Sequence, residues 1–295
     1  MKEPVLQIEK ASKKFGGVAA VEDFSLNVAS GSIYALIGRN GAGKTTALHL
    51  MSGLLKPDEG TVRVLGTNPF NAPPEHRQRV TFVAENQILP VNANLGQLAK
   101  FCAPLYPRWD HIWFGTMLAR FGVGLDIDIK HLSQGQQRQA AIILAMAPKP
   151  ELLLLDEPAS TLDPIARREM MELVLALTRE WECTVIFSTH ILSDVERIAS
   201  HVGFVTNGKV TLSSSLDEVK ENVRLVRFNG VKNSDNIQIP GAIRVEKGTN
   251  SIAAVVRDVK EEELLALAAK LGASYSAEYL PLEDIFIEIQ KGCRV

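Results

Sequence analysis

The sequence predicts an α/β fold: a mixed core sheet, an antiparallel β-region at the start, a helical insert, and a small α+β appendage at the end. Three observations predict it. The apolar run Ile33-Tyr34-Ala35-Leu36-Ile37 meets a glycine-rich loop and then helix-forming Thr45-Thr46-Ala47-Leu48. Leu152 to Leu155 form an unbroken leucine run, the pattern of a strand buried on both faces of a parallel sheet. From 151 to 213, strand-like and helix-like segments alternate, as in βαβ units.

The elements follow in order. Over residues 1–30 apolar and polar positions alternate (Val5, Leu6, Ile8; Phe24, Leu26, Val28), which reads as antiparallel strands. Residues 31–85 hold the loop, its helix, a strand near 61–64 and a strand over 80–84. Residues 86–150 read as mostly helical, near 93–103, 109–121 and 134–147, with Pro90, Pro104, Pro107 and Pro148 as punctuation. Strand then alternates with helix: 151–155, 163–180, 184–188 and 191–200, followed by a hairpin at Asn207-Gly208. Residues 1–213 make one domain, with 86–150 as its helical subdomain, and residues 214–295 are a linker region and accessory domain. Ser213-Ser214-Ser215 reads as part of the linker. The charged helix at 216–222 reads as part of the same linker region, and the appendage that follows carries strands at 223–228, 236–239, 242–246, 251–257 and 274–279, and helices at 261–271 and from Leu282.

The loop carries the chemistry. Gly38-Arg39-Asn40-Gly41-Ala42-Gly43-Lys44-Thr45 is a complete G-x-x-x-x-G-K-[ST] phosphate-binding pattern. Its glycines let successive N–H groups turn toward one anion, and the helix that follows presents its N-terminus to the same charge. Lys44 would reach the β- and γ-phosphates, and the Thr45 hydroxyl would bind Mg²⁺. Asp156 and Glu157 close the leucine strand, so they reach the carboxyl edge of the sheet, where ligands bind. There Asp156 would hold the metal and Glu157 would polarise an attacking water.

Upstream of these acids, Leu132-Ser133-Gln134-Gly135-Gln136 opens an Ala/Ile/Leu-rich helix, a second anion-binding end. With loop, helix start and acids in this order, the chain resembles the ATP-binding-cassette (ABC) ATPases, whose signature is usually L-S-G-G-Q. Gln134 stands here in the third place. Further landmarks match. Ser160-Thr161-Leu162-Asp163 resembles the loop that contacts a second subunit. His190, after the strand-like Thr184-Val185-Ile186-Phe187, resembles the switch histidine at the γ-phosphate. Phe15 matches the aromatic that stacks on adenine. The family usually has Gln after the strand over 80–84; by register Glu85 takes that place, rather than Gln87, and adds negative charge beside the metal.

The resemblance implies an Mg²⁺-dependent ATPase. Arg39, Asn40, Gly41, Ala42, Gly43, Lys44, Thr45 and Thr46 would bind ATP, with Phe15 on the base. Thr45, Asp156 and Glu85 would serve the metal. Glu157, His190 and Lys44 would be catalytic. Ser133, Gly135 and Gln136 would act on ATP held by a second chain, with Ser160 and Asp163 at the dimer contact. It further implies a head-to-tail dimer of ABC chains that drives a separate transmembrane permease from the cytoplasmic face of the cell membrane. Glu85, the stretch Tyr106-Pro107-Arg108-Trp109-Asp110 and the segment from His190 to Glu196 resemble a bacterial exporter branch of the ABC-2 type. Leu282-Glu283-Asp284-Ile285-Phe286 resembles the closing segment of such exporters, where it packs on the body.

Composition excludes several classes. A net charge of −2 supplies no basic field for nucleic acid. No run approaches the ~18 uncharged apolar residues of a membrane span. Met1 to Val5 lacks the apolar core of a signal peptide. Cys102, Cys183 and Cys293 are too scattered for a metal site or a disulfide framework. The alternatives are a soluble ABC ATPase acting on DNA or in translation, and a non-transport regulator. A DNA-acting ATPase would split loop from signature with a long coiled coil, and a translation-associated one would carry two cassettes and basic surfaces. Intact Lys44, Asp156, Glu157 and His190 argue against a non-hydrolysing regulator.

Overall fold

The computed structural model describes residues 4–231 and 237–292. The chain divides into two compact units, residues 1–213 and 214–295.

The first unit opens with a hairpin, β1 (Pro4–Phe15) and β2 (Val18–Ala29). Phe15 faces Val18 across Gly16 and Gly17, both at positive φ (54° and 86°). A two-residue turn with both centres left-handed matches the strand twist, which is why glycine stands there. Strand β4 (Glu59–Val64) pairs antiparallel with β1, so it joins this three-stranded sheet and not the core sheet.

The core sheet has six strands in the order β5-β6-β7-β3-β8-β9: β3 (Ile33–Ile37), β5 (Val80–Val83), β6 (Leu152–Leu155), β7 (Thr184–Thr189), β8 (His201–Thr206) and β9 (Lys209–Ser215). The first five in that order run parallel. Every residue of β3, β6 and β7 is buried, which is what their unbroken apolar runs predict. The two-residue turn Asn207-Gly208, at φ 49° and 76°, returns the chain into β9. Ser213, Ser214 and Ser215 therefore end a strand and do not form a linker. Tyr34 Oη and Ser213 Oγ share a 2.7 Å hydrogen bond that holds this end of β9 to β3.

Helices flank the sheet: α1 (Lys44–Ser52), α2 (Pro74–Arg77), α3 (Leu95–Cys102), α4 (His111–Arg120), α5 (Gln134–Met146), α6 (Pro164–Trp181) and α7 (Leu192–Ile198). Starts are set by side chains. Asn94 and Ser133 form capping boxes with Gln97 and Gln136, while Asp110 and Asp163 cap α4 and α6. Leu36, Leu48, Met51, Leu152, Leu154 and Ile186 meet in one core between α1 and the two sheets. Each fully buried side chain of that size contributes ~1.5–3 kcal/mol.

The second unit holds α8 (Leu216–Asn222), β10 (Val223–Asn229), β11 (Ala242–Lys247), β12 (Ser251–Arg257), α9 (Glu261–Leu271), β13 (Ser274–Tyr279) and α10 (Leu282–Gly292). Its antiparallel sheet is ordered β11-β12-β10-β13. Leu264 and Ala268 of α9 pack with Val226, Phe228, Ile252, Ala254 and Val256. Helix α10 buries Leu282, Ile285 and Ile289 and packs beside β11, where Arg244 pairs with Glu288. Glu283 and Asp284 are exposed first-turn acids of an amphipathic helix. The strand expected at 236–239 is not formed over 237–239, and residue 236 lies outside the described residues, as does Cys293.

Candidate functional site

Parallel pairing decides the geometry of the site. Ile37 of β3 stands beside Thr189 of β7 and Phe204 of β8, Leu155 of β6 beside Phe187, and Val83 of β5 beside Leu155. The phosphate-type loop, Glu85, Asp156-Glu157 and His190 all follow these strand ends, so they emerge along one carboxyl edge.

A cleft of about 450 Å³ opens at that edge. Arg39 to Thr46, Glu85, Glu157 and His190 line it, together with Ala20. The loop has little freedom. Gly43 sits at φ 103°, and a Cβ there would stand 2.4 Å from the Ala20 carbonyl oxygen. Gly38 is equally confined, since a Cβ would meet the Val205 carbonyl oxygen at 2.6 Å. The first amides of α1 have no intrahelical acceptor and open toward the cleft.

Lys44 is buried. Its Nζ donates to the Gly38 carbonyl at 2.7 Å and lies 3.2 Å from Glu157 Oε1. That oxygen is buried and accepts no hydrogen bond of good geometry. Glu157 Oε2 lies 3.0 Å from His190 Nδ1, and the imidazole itself is half exposed. Glu157 thus bridges a loop cation and a ring that reaches solvent.

The backbone at Glu157 is unusual, with φ 45°, in the left-handed region a non-glycine residue enters at a cost of about 1–3 kcal/mol. Ser188 of β7 holds it there: the Glu157 N–H donates to Ser188 Oγ at 2.9 Å, and Ser188 Oγ donates to Asp156 Oδ1 at 2.6 Å. One hydroxyl fixes both acids. Asp194 of α7 is buried nearby, and burial raises its carboxyl above the usual range, against lowering by Arg167 and Arg197.

The residues fit a nucleotide and Mg²⁺. The lining offers the Thr45 hydroxyl and the Glu85 and Glu157 carboxylates, oxygens suited to a hard cation, whereas Asp156 does not line the cleft and accepts from Ser188 behind it. No group of three His, Cys, Asp or Glu stands ready for a metal among the described residues.

Other expected residues lie apart from this cleft. Ser133 and Gln136 are engaged with each other as the cap of α5, and neither they nor Gly135 line it. Phe15 is half exposed at the end of β1, with Lys13 Nζ 6.0 Å from its ring centre, and it too is outside the lining. Ser160 Oγ donates to the Glu157 carbonyl at 3.1 Å, and Asp163 accepts from Ile165 and Ala166 at the start of α6. Glu85 lines the cleft, whereas Gln87 lines a separate groove with Tyr106 and Trp109. Sequence reasoning missed Ser188, Ala20 and Arg138. Only Arg138, a lone guanidinium ahead of the apolar run from Ala140 to Ala147, carried a visible signal.

The family profile described as ABC transporter matches residues 21–160. The bacitracin transport ATP-binding protein BcrA of Bacillus licheniformis is 32% identical over 224 residues, covering 75% of this chain and 72% of that protein. The chain belongs to the ABC transporter ATP-binding proteins. The thiamine import ATP-binding protein ThiQ of Vibrio parahaemolyticus is 35% identical over 198 residues, 66% of this chain and 85% of its own length. A solved ATP-binding subunit of an ABC transporter superposes with a TM-score of 0.67 at 26% identity, covering 74% of this chain and 92% of that one. Like these cassettes, this ABC protein combines a mixed core sheet with antiparallel and helical parts.

Proposed function

We propose that this ABC subunit hydrolyses ATP in a head-to-tail dimer and thereby drives a separate membrane permease, in the direction of export. The observation that carries the reading is the placement of Glu157: buried at the cleft, fixed by Ser188, and within reach of both Lys44 and His190.

The chemistry follows from residue types. Amides of the loop and of the α1 N-terminus bind and orient phosphate. Lys44 offsets charge that builds on the transferring phosphoryl group, and His190 adds a donor from the other side. Glu157 accepts a proton from the attacking water and holds it in line. Thr45, Asp156 and Glu85 would serve Mg²⁺, which would supply neutralisation of phosphate charge. Phe15 would stack on the base. Catalysis in this design is positioning and electrostatics, with no covalent intermediate.

The dimer rests on a division of parts. Ser133, Gly135 and Gln136 form a capped helix start away from the chain's own cleft. Their anion-binding end is then available to ATP on a second chain, with Ser160 and Asp163 beside the contact. The permease rests on two observations. No described helix is long and apolar enough to cross a membrane. The helical subdomain and its approach also expose Ile88, Phe101, Leu105 and Ile112, at 78%, 73%, 54% and 84%. Exposed apolar side chains of this size on the subdomain that carries the signature segment are candidates for contact with the permease. Location at the cytoplasmic face of the membrane, held through the permease, follows. Export over import rests on Glu85 and on the Tyr106–Asp110 stretch; the import relative covers a smaller share of the chain than the bacitracin one. We assign residues 1–213 to the ATPase domain and 214–295 to an accessory domain.

Size-exclusion chromatography of Glu157→Gln tests the dimer. With ATP and Mg²⁺ the variant, which binds but does not turn over, elutes as a dimer; a monomer at saturating ATP contradicts the reading.

A further inference from the structure

Arg138 lies in the second turn of α5 and is only 5% exposed, yet among the described residues it pairs with no carboxylate side chain. It spends its donors on backbone carbonyls. Nη1 donates to Ala84, Nη2 to Asp156 at 2.6 Å and, more weakly, to Glu157 at 3.3 Å, and Nε reaches Pro158 at 3.4 Å. These carbonyls belong to the segments that leave two neighbouring strands, β5 and β6.

The position is informative. The ladder between β5 and β6 closes with the Asp156 N–H donating to the Val83 carbonyl at 2.9 Å. Beyond that bond the two chains diverge, Ala84 leading into Glu85 and Asp156 into Glu157. The next carbonyls lack a ladder partner: that of Asp156 takes Arg138 as its donor, while those of Ala84 and Glu157 accept from Arg138 and also from Gln87 and Ser160. A guanidinium has five N–H groups in a rigid planar fork, so one side chain spans both segments; an ammonium cannot. Burial pulls this guanidinium below its ordinary value, while Asp156, Glu85 and Glu157 hold it up. Desolvating a guanidinium is costly, and the three acids offset only part of that cost. Three bonds to the 156–158 backbone, which carries two of those acids, and one to Ala84, next to the third, are what the cost maintains.

We propose that Arg138 is a positioning residue for hydrolysis: it pins the backbone beneath Glu85 and Glu157, and so ties the helix that begins at Ser133 to the water-orienting carboxylate. The proposal rests on the reading of Glu157 given above. Arg138 is not among the residues that line the cleft. It acts through the left-handed backbone at Glu157, which Ser188 grips from one side and Arg138 from the other.

The test uses the full chain with Arg138→Lys and Arg138→Gln. Amide hydrogen exchange is followed in peptides covering 83–87 and 155–160, with 33–37 as control, alongside ATP-binding stoichiometry, Kd, kcat and KM. The expected result is faster exchange in the two strand-end peptides and not in the control. ATP binding stays at full stoichiometry with near wild-type Kd and KM, and kcat falls about 100-fold or more in Gln, the cost of misplacing a reacting group by an ångström. Lys recovers part of the loss. The proposal is overturned if exchange at the two strand ends is unchanged, if kcat stays near wild type in both variants, or if kcat falls only in step with ATP-binding stoichiometry, as a general loss of fold would give. A wild-type chain that neither binds nor hydrolyses ATP would instead overturn the reading of the site, and the exchange result would still judge the clamp.

Discussion

Replacing Ser188 by alanine removes one oxygen and disconnects both acids. Ser188 is fully buried, as is Asp156, and the Glu157 amide it accepts from is buried too. Two costs follow. A buried N–H left without an acceptor costs about 1–3 kcal/mol, and a carboxylate that loses a buried donor loses about 1.5–3 kcal/mol. The left-handed backbone at Glu157 stays strained but loses a bond that holds it. The low end of the sum, about 2.5 kcal/mol, lowers Tm by roughly 5–10 °C for a unit of this size. Hydrolysis falls further than stability alone explains, because Asp156 and Glu157 both lose their fixed orientation. Differential scanning fluorimetry and steady-state kinetics on the same preparation measure both. A Tm within about 1 °C of wild type, with unchanged kcat, would refute the claim that this hydroxyl organises the site.

Two further predictions follow from the same geometry. Gly43→Ala places a methyl group 2.4 Å from the Ala20 carbonyl oxygen at a backbone φ of 103°, so the loop must deform; calorimetric titration should show ATP affinity lost while far-UV circular dichroism is kept, and retained affinity would contradict the loop geometry. Glu151 is held below the ordinary carboxyl range by its paired hydrogen bonds from Arg79, at 2.7 and 2.8 Å, across the start of β5 and β6. Its folded pKa is depressed, so the stabilisation is present above the ordinary glutamate value and is lost as pH falls through the folded one. Urea unfolding over a pH series should show Glu151→Gln less stable than wild type at neutral pH, with the gap closing in acid; a gap independent of pH would contradict the pairing.

Much of this was legible in residue order alone. The strand-loop-helix around Lys44 and the buried strand ending at Asp156-Glu157 were readable because hydrophobic runs and glycine positions are local signals. What failed to show was set across strands. Ser188 reads as an ordinary strand residue until register places β7 between β6 and β3. Three consecutive serines read as linker because serine favours turns, yet sheet pairing and the Tyr34 contact keep them in β9. The left-handed conformation of Glu157 has no local cause at all; it comes from bonds to β7 and α5. The placement of Phe15 depends on the tight hairpin that follows it, which leaves the ring at an exposed strand end.

The most direct test of the account is Mg²⁺-dependent ATP hydrolysis by the purified chain, measured against protein concentration with Glu157→Gln alongside. The account predicts a rate per chain that rises with concentration as the two half-sites meet, and a loss of about 10²–10⁴-fold in the variant with ATP binding intact. Hydrolysis by Glu157→Gln at the wild-type rate would contradict the role of Glu157, and a rate per chain independent of concentration from a monomer would contradict the shared site.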